Sequence, residues 1–288
     1  MMTLADLHLH TCFSDGTYTP EELAVIGRQK GLGVLAITDH DTVDGCPRMA
    51  AACQREGIEF IPGIEITTGI DEREVHILAY GVDISNPPLL EALQQFQQIR
   101  QNRVREIVER LKKLGIALEA ETVFELANCS APGRPHVGRA LVGAGVCANL
   151  DEAFERFLKR NRPAWVPKPR INAAEAIELI HEARGLAVLA HPGINHADEV
   201  IPKLVASGLD GIECFHTRHS PAVTEHYLAM SEQLGLVATG GSDCHGMNKG
   251  QPLIGGIKLP YTYVSAMKER LAARRNGSST TIPHTDTR

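Results

Sequence analysis

Short apolar stretches alternate with amphipathic helical stretches along most of the chain. The apolar stretches predict seven strands, and they are Leu4–His8, Val34–Thr38, Glu59–Thr67, Glu74–Gly81, Ala187–Ala190, Gly211–Phe215 and Leu236–Thr239. Helical segments separate most of them, which predicts βα units and a mostly parallel sheet. The strand count and the chain length favour a closed (β/α) barrel over a doubly wound sheet.

The first two predicted helices lie between these strands. In the first, Thr19 is the N-cap, Pro20 occupies the first helical position, and Gly31 ends the helix. A second helix is predicted over Cys46–Glu56. Both helices fit the βα order of a barrel.

The alternation is interrupted between about residues 87 and 170. The pattern there predicts a long amphipathic helix and three shorter ones, and these are Leu89–Leu114, Glu119–Ala127, His136–Val142 and Leu150–Leu158. A basic, proline-rich segment, Lys159–Arg170, follows them. We therefore predict a barrel formed by residues 1–86 and 171–275, a helical insert at 87–170, and a disordered tail at 276–288.

Composition narrows the class of protein. The 288 residues are 43% hydrophobic, which is enough for one large domain or one domain with an insert. A net charge of -6 argues against binding long nucleic acid by charge alone, although a local basic patch can still hold a small anion. No apolar run is long enough to span a bilayer and no signal peptide is visible, so we expect a cytoplasmic protein without an obligate protein partner. The seven cysteines occur singly, which predicts free thiols.

Imidazole or carboxylate groups follow nearly every predicted strand. His8 and His10 lie two apart at the end of the first strand, where extended backbone points both side chains the same way. The other strands carry or precede comparable groups, namely Asp15, His40, Glu65, His76, His191, His216, Asp243 and His245. The carboxyl ends of parallel barrel strands meet on one face, and burying so many polar groups unpaired there is costly. The pattern therefore predicts a multinuclear divalent-metal site.

Several polar residues have two interpretations. The HxH pair alone could be two surface histidines, and His216 and His219 could belong to an exposed loop. Asp39 and Asp41 are expected to contact metal-bound histidines rather than the metal. The remaining histidines are expected to be structural or superficial, and these are His181, His196, His226 and His284.

Six segments together resemble the motifs of the PHP family, the polymerase and histidinol phosphatase phosphoesterases. They are DLHLHTCFSDG, ITDHD, GIEI, EVHILAY, LAHP and GSDCH, and they occur in the family's usual order between about residues 4 and 250. The resemblance implies a distorted barrel of seven βα units and metal-dependent hydrolysis of phosphate esters.

The resemblance also implies a ligand set for three metal ions. One ion takes His8, His10, Glu65 and Asp243, a second shares Glu65 and adds His76 and His191, and a third takes Asp15, His40 and His245. Many relatives have histidine where this chain has Asp15, and a carboxylate there favours manganese or magnesium at the third position. Manganese is the expected metal, with iron or zinc as alternatives.

The insert narrows the expected substrate. Its segment Gly133–Arg139 resembles the RxH element of a PHP subgroup that removes phosphate from nucleoside 3′,5′-bisphosphates and in some members trims short RNA from the 5′ end. The expected substrate is therefore a small phosphorylated nucleotide, and possible phosphate-binding side chains are those of Arg134, His136, Lys168, Arg170, Arg218 and His219. Arg134 and His136 could instead cap a helix or add surface charge. Trp165 could stack on a base or pack against the barrel.

The expected mechanism is attack on phosphorus by water activated between metal ions. The residues assigned to it are His8, His10, Glu65, Asp243 and His216, with His216 or His219 orienting the phosphate or protonating the leaving group. Alternatives are a histidinol-phosphate phosphatase, a 5′-3′ exoribonuclease and a C–N bond hydrolase. From a different class, a metal-sensing protein with a degenerate site also remains possible.

Overall fold

A computed structural model of the protein describes residues 3–168 and 170–277. Its strands are β1 (Leu4–Asp6), β2 (Leu32–Ile37), β3 (Glu59–Ile70), β4 (Arg73–Tyr80), β5 (Ile171–Asn172), β6 (Leu186–Leu189), β7 (Gly211–His216), β8 (Val237–Gly241) and β9 (Leu259–Pro260). Its α-helices are α1 (Pro20–Gln29), α2 (Cys46–Glu56), α3 (Pro87–Lys113), α4 (Ala120–Ala127), α5 (Arg134–Gly143), α6 (Leu150–Ala153), α7 (Ala173–Glu182), α8 (Pro192–Asn195), α9 (Ile201–Ala206), α10 (Pro221–Gln233) and α11 (Tyr261–Arg275).

Seven strands form a nearly closed barrel. They are hydrogen-bonded in the order β8, β7, β6, β4, β3, β2 and β1. The chain just after β1 then meets the end of β8, because Leu7 N donates to Gly240 O at 3.2 Å and His10 N donates to Cys244 O at 3.0 Å. The predicted seven-unit α/β barrel is thereby confirmed. Two short strands, β5 and β9, were not predicted and pair with β3 and β1 at its margin.

One strand runs against the expected direction. β4 is antiparallel to both of its neighbours, β3 and β6. It follows β3 through a tight hairpin at Asp71 and Glu72, where both residues have positive φ, so no crossover helix reverses the chain. β4 thereby departs from the predicted βα order, and its beginning lies beside the ends of the other strands. This places His76, near the start of β4, on the same face as the groups that follow the parallel strands.

The ends of the elements differ from the prediction at two places. β1 ends at Asp6, so His8 and His10 lie just beyond it rather than within a strand that reaches His8. The last predicted helix of the insert is α6, which continues as a π-helical turn at Phe154–Leu158. The first helix agrees with its signals, because Thr19 and Glu22 form a reciprocal capping box before Pro20.

The barrel and the insert have separate apolar clusters. Barrel strands and their helices bury a large cluster that includes Leu35, Ile64 and Ile77. A second cluster within residues 104–166 includes Ile107, Leu141 and Leu158. The first turns of α3 contribute to the barrel cluster and its later turns to the insert cluster, so this helix connects the two.

The cysteines and the chain end add two observations. All seven cysteines are free thiols, as predicted. α11 ends at Arg275, and of the predicted tail the residues 278–288, with His284, lie outside the described part. Within the described residues no helix is both long enough and apolar enough to cross a bilayer.

Candidate metal centre

Imidazole and carboxylate groups converge at one end of the barrel. Their donor atoms form three overlapping groups, and within each group the atoms lie within 4.8 Å of one another. These groups are His8, His10, Glu65 and Asp243; His10, Asp15, His40 and His245; and His40, Glu65 and His76. We call these residues, together with His191, the ligand cluster.

Glu65 lies at the middle of the ligand cluster. Its Oε2 atom is 3.2 Å from His10 Nε2, 3.2 Å from His40 Nδ1 and 3.4 Å from His8 Nε2. Its Oε1 atom is 2.6 Å from His76 Nδ1 and 3.0 Å from His191 Nε2. One carboxylate therefore faces two sets of histidines with its two oxygens, which is the arrangement of a carboxylate that bridges two cations.

Backbone pairing fixes Glu65 beside His40. The two residues form a β-bridge, in which Glu65 N donates to Asp39 O at 3.2 Å and Asp41 N donates to Glu65 O at 3.1 Å. The register of the β3–β4 hairpin places His76 opposite Thr67, two residues beyond Glu65. Residues far apart in sequence thus reach one point because each lies at the same edge of the barrel.

The backbone is held in uncommon conformations at this edge. Asp41, His191 and Asp243 have φ values of 53°, 32° and 53°, in the left-handed region that non-glycine residues seldom adopt. Gly241 is also constrained, since a Cβ atom there would lie 2.3 Å from His8 N. Backbone strain at binding sites is maintained by the structure around it, here by the barrel strands.

The donor set fits divalent cations. His8 Nε2, His10 Nε2 and His40 Nδ1 are buried without a hydrogen bond of normal geometry. Carboxylate oxygens lie 3.2–3.6 Å from these nitrogens. Ligand atoms around a tetrahedral ion with bonds of about 2.1 Å are about 3.4 Å apart, so these separations are those expected for ligands of a shared ion. The side chains are therefore suited to manganese, iron or zinc, which take mixed nitrogen and oxygen donors.

The carboxylates and imidazoles of the ligand cluster shift one another's pKa values. Burial alone would raise the pKa of Glu65, but His40, His76 and His8 hold it well below its usual value. Burial alone would lower the pKa of His10, but Asp243 and Glu65 raise it to about 9. The pKa of His76 is also raised to about 9, chiefly by Glu65, although burial alone would lower it. Without cations the carboxylates retain protons on these rings, so metal binding releases protons.

Glu213 was missed by sequence reasoning. This buried side chain accepts a hydrogen bond from His8 Nδ1 at 2.9 Å through Oε1 and from His191 N at 2.8 Å through Oε2. It therefore directs His8 Nε2 towards Glu65 and Asp243 and fixes the start of the His191 loop. The available signal was an acidic residue inside an otherwise apolar strand, β7, where burial without a partner is costly.

The expected roles of Asp39 and Asp41 are corrected. Asp39 accepts hydrogen bonds from Thr11 N, the Thr11 hydroxyl and the Ser14 hydroxyl at 2.6–2.7 Å, so it orders the loop that carries Asp15 instead of contacting a histidine. Asp41 pairs with Arg100 and accepts from Thr67 N. Both carboxylates were assigned to histidines because sequence does not show which loop or helix approaches a strand end.

His216 is buried at the end of β7. Its Nδ1 atom accepts from Arg218 N at 3.1 Å, so in the neutral ring the proton is on Nε2, which lies 3.7 Å from Asp243 Oδ2. The 3.7 Å separation is too long for a hydrogen bond, and Nε2 has no hydrogen-bond partner among the described residues. A protonated Nε2 cannot bind a metal ion, so this tautomer argues against His216 as a metal ligand. His216 does not line the pocket described next.

A pocket of about 780 Å³ opens beside the ligand cluster. Its lining includes four residues of the cluster, Asp15, His40, His76 and His245. It also includes six cationic residues from the insert and from the loop after β7, Arg100, Arg103, Arg134, Lys159, Lys168 and Arg218, and three further acidic residues, Glu74, Asp151 and Glu155. The pocket thus joins the candidate metal centre to a surface that attracts anions.

Three of the six predicted phosphate-binding residues line this pocket, and they are Arg134, Lys168 and Arg218. His136 does not: it is fully buried, and its Nδ1 atom accepts from Gly133 N at 3.0 Å at the start of α5. His219 donates from Nδ1 to Cys214 O and accepts from Gly193 N through Nε2, which occupies both ring nitrogens. Arg170 is exposed and binds Glu72 O beside the β3–β4 hairpin. Protein contacts thus engage all three of these side chains away from the pocket.

Arg100 and Arg103 line the pocket but were absent from the predicted set. Both lie on α3, and Arg100 falls on the apolar stripe between Leu93 and Val104, where it is only 7% exposed. A cation on a buried helical stripe requires a partner or a ligand, and this was the available signal.

The remaining predictions concern single aromatic residues. Trp165 is half-buried and does not line the pocket, so the structure gives no support to base stacking. His181 and His226 pair with Asp210 and Asp198 at 2.9 and 2.7 Å, and His196 is exposed. These three histidines have the structural or surface positions expected of them.

The sequence is similar to a known protein domain and to two named bacterial enzymes. Residues 6–158 match the PHP domain. The chain is 37% identical to the 5′-3′ exoribonuclease Rnm of Salmonella typhimurium over 83% of this chain and 84% of that protein. It is 32% identical to the 3′,5′-nucleoside bisphosphate phosphatase of Chromobacterium violaceum over 86% of this chain and 90% of that protein.

A solved structure supports the same relationship. A crystal structure from Bifidobacterium adolescentis, named there as a candidate metal-dependent phosphoesterase, is 33% identical and superposes with a TM-score of 0.85. The superposition covers 92% of this chain and 96% of the other. The matched family domain, the identity over most of the chain and the shared fold lead to one conclusion. The chain belongs to the PHP family and is a metal-dependent phosphoester hydrolase.

Proposed function

We propose that this enzyme removes the 3′-phosphate from nucleoside 3′,5′-bisphosphates. The observation that carries the proposal is a pocket lined both by metal-ligand candidates and by cations of the insert. A substrate with two phosphates on one nucleoside can place one beside the ligand cluster and the other among these cations. Leu150 and Phe154 add apolar surface to the same pocket for the nucleoside.

The proposed metal ligands are the ligand cluster, divided into three sites. His8, His10, Glu65 and Asp243 hold one ion; Glu65, His76 and His191 hold a second; and Asp15, His40 and His245 hold a third. The carboxylate of Asp15 makes the third site harder than an all-imidazole site, which favours manganese or magnesium there. When bound, such ions neutralise charge on the phosphoryl oxygens and lower the pKa of water.

The protein's own side chains then have separate tasks. Glu213 holds His8 in the tautomer that presents Nε2 to the cluster. His216 Nε2 faces the Asp243 carboxylate at 3.7 Å, which is beyond hydrogen-bond distance. Arg134, Lys168 and Arg218 bind phosphate oxygens from the pocket walls, where charge-assisted hydrogen bonds fix the position of the phosphorus.

A second candidate function is 5′-3′ exonuclease activity on short RNA. It is favoured by the 37% identity to an exoribonuclease over most of the chain. The two functions are chemically close, because an exonuclease that releases nucleoside 5′-monophosphates breaks the same P–O3′ bond that a 3′-phosphatase breaks. They differ in whether the 3′-phosphoryl group carries a further nucleotide.

Phosphate release and product analysis on a substrate panel test the proposal. The panel consists of adenosine 3′,5′-bisphosphate, 3′-AMP, 5′-AMP, histidinol phosphate and a 5′-phosphorylated dinucleotide, each with manganese. We expect the highest kcat/KM on the bisphosphate, with AMP retaining its 5′-phosphate. Faster turnover of the dinucleotide supports the exonuclease, whereas preferential turnover of histidinol phosphate or 5′-AMP contradicts both functions.

A further inference from the structure

The insert contacts two loops that carry ligands of the proposed third metal site. One loop follows β1 and carries Asp15, and the other follows β2 and carries His40. We propose that residues 128–133 of the insert, which we name the docking segment, position these two loops, so that docking of the insert and binding of the third ion stabilise each other. The inference rests on the proposed function's division of the ligand cluster into three sites, but not on the identity of the substrate.

The docking segment holds the Asp15 loop through a cysteine. It connects α4 to α5, and Cys129 Sγ donates to Ser14 O at 3.4 Å. Ser14 directly precedes Asp15 and is also held by the barrel, because its hydroxyl donates to the Asp39 carboxylate at 2.6 Å. The backbone next to Asp15 is therefore fixed between the insert and the barrel.

The docking segment holds the His40 loop through a serine. Ser130 Oγ donates to Asp44 Oδ2 at 2.8 Å. A second part of the insert contacts the same loop, because Gln97 Nε2 of α3 donates to Asp41 O at 3.1 Å. The residues that follow His40 thus have hydrogen bonds to two elements of the insert.

Ligands on loops need such support more than ligands within strands do. Glu65 lies in β3 and His76 lies in β4, where the paired backbone fixes both residues. His40 is attached to β3 by an isolated bridge, and Asp15 lies in a turn. A side chain on a loop is positioned less precisely than one on a strand unless other contacts hold the loop.

The side chain of Asp15 points into the third group of ligands. It is 7% exposed, and its Oδ1 atom lies 3.3 Å from His245 Nε2 and 3.9 Å from His10 Nδ1. This oxygen is buried without a hydrogen bond of normal geometry, which costs free energy unless a cation pairs with it. A shift of the Asp15 loop moves the oxygen away from the two imidazoles, so contacts that hold the loop also set the affinity for the ion.

Manganese affinities of docking-segment variants test the proposal. The double variant with Cys129→Ala and Ser130→Ala lacks the side-chain hydrogen bonds to both loops. In competition with a metal-binding dye, we expect one stepwise dissociation constant to rise about tenfold, with the others unchanged within about threefold. Cys147→Ala is the matched control, because Cys147 is a thiol buried in the insert's own apolar cluster. Unchanged constants, equal weakening of every ion, or a comparable loss in the control overturns the proposal.

A conservative substitution separates positioning from general stability. Cys129→Ser keeps a donor for Ser14 O, so its manganese constants should match those of the unsubstituted protein even if its thermal unfolding midpoint falls. Ser130→Ala alone should weaken the same single ion and replaces the double variant if that variant does not fold. Weakened binding in Cys129→Ser that follows the fall in midpoint contradicts a positioning role.

Hydrogen exchange measures the reverse effect without substrate or turnover. Because linkage is reciprocal, manganese should slow amide exchange in the docking segment by about tenfold in the unsubstituted protein. Asp15→Asn removes the carboxylate charge from the third site and should abolish that slowing. Equal slowing in Asp15→Asn, or none in the unsubstituted protein, overturns the proposal. Failure of the proposed function would instead appear in the substrate panel and would leave the metal affinities and the exchange rates as expected.

Discussion

The ligand cluster differs in both origin and charge from four cations that line the pocket, which we call the basic wall: Arg100, Arg103, Arg134 and Lys168. The ligand cluster is built at barrel strand ends, where carboxylates stand among imidazoles and every ring nitrogen near Glu65 has an oxygen within 3.4 Å. The basic wall is built on α3, on the start of α5 and on the segment that follows the insert helices, and most of its hydrogen bonds go to neutral oxygens. One region is suited to hold cations and the other an anion. A phosphate ester bound between them would contact both.

The largest expected effect tests the ligand cluster, the region suited to bind cations. Asp243→Ala removes a carboxylate that lies 3.3 Å from His10 Nε2 and 3.6 Å from His8 Nε2. We expect the loss of at least one metal ion per chain and a fall in kcat of about 1,000-fold or more, because metal-ion stabilisation is removed from the transition state. Elemental analysis and phosphate release measure the two quantities. Asp198→Ala, at a partly exposed carboxylate paired with His226, is the control. Full turnover by metal-free Asp243→Ala would falsify the metal-dependent scheme.

The next effect tests how the barrel orients its ligands. Glu213→Ala removes the acceptor of His8 Nδ1 and of His191 N without touching the pocket. We expect metal affinity to fall about 10- to 100-fold, with activity largely recovered at saturating metal.

Competition with a metal-binding dye measures the affinity of the Glu213 variants. Glu213→Gln, which keeps an acceptor but not the charge, should lie between Glu213→Ala and the unsubstituted protein. Unchanged affinity in both variants means that Glu213 is only a packing residue.

A smaller effect tests the basic wall, the region suited to bind an anion. Arg134→Ala should leave the metal content intact and raise KM or lower kcat by about tenfold, since it removes one charge-assisted contact to phosphate. Arg156→Ala is the control, because Arg156 is exposed and pairs with Glu152 within the same helical segment. Loss of metal in Arg134→Ala, or unchanged steady-state constants, contradicts the assigned role.

The two regions were not equally predictable from the sequence. Ligand residues follow strands, and the strand pattern is legible because apolar runs in a barrel are short and regularly spaced. His8, Glu65 and Asp243 could therefore be assigned to one site before their distances were known. The antiparallel direction of β4 was not predicted. In the sequence, a hairpin and a crossover connection both appear as a loop followed by an apolar run, and only the hydrogen-bonded pairing of the strands distinguishes them.

The basic wall was only partly predictable because docking between elements decides it. Arg134 and Lys168 were named from a motif and from local charge, but Arg100 was not named, since its role depends on Asp41 approaching from another loop. Arg170 was named and lies elsewhere, where it binds Glu72 O beside the β3–β4 hairpin. Glu213 was not predicted because its hydrogen-bond partners, His8 and His191, are distant from it in sequence.

The last prediction concerns His136, which caps α5 from a buried position instead of binding phosphate as predicted. Its substitution is expected to change turnover the least. Burial, reinforced by Arg139, lowers its pKa to about 4. The folded state therefore keeps this ring neutral between about pH 6.5 and 4 while the unfolded chain takes up a proton. The stability that His136 contributes is complete above pH 6.5 and is lost as pH falls towards 4.

Chemical denaturation at pH 7.5 and 5.0 checks this behaviour. At pH 7.5, His136→Leu should lower the free energy of unfolding by roughly 1–2 kcal/mol, because the Gly133 N–H loses its acceptor. At pH 5.0 the difference between variant and unsubstituted protein should shrink by roughly 2 kcal/mol or vanish, since protonation already favours unfolding of the unsubstituted chain. His226→Leu, at an exposed histidine, controls for the loss of an imidazole. A stability difference that is the same at both pH values means that His136 is not held neutral, and a large fall in kcat at pH 7.5 restores it to the substrate site.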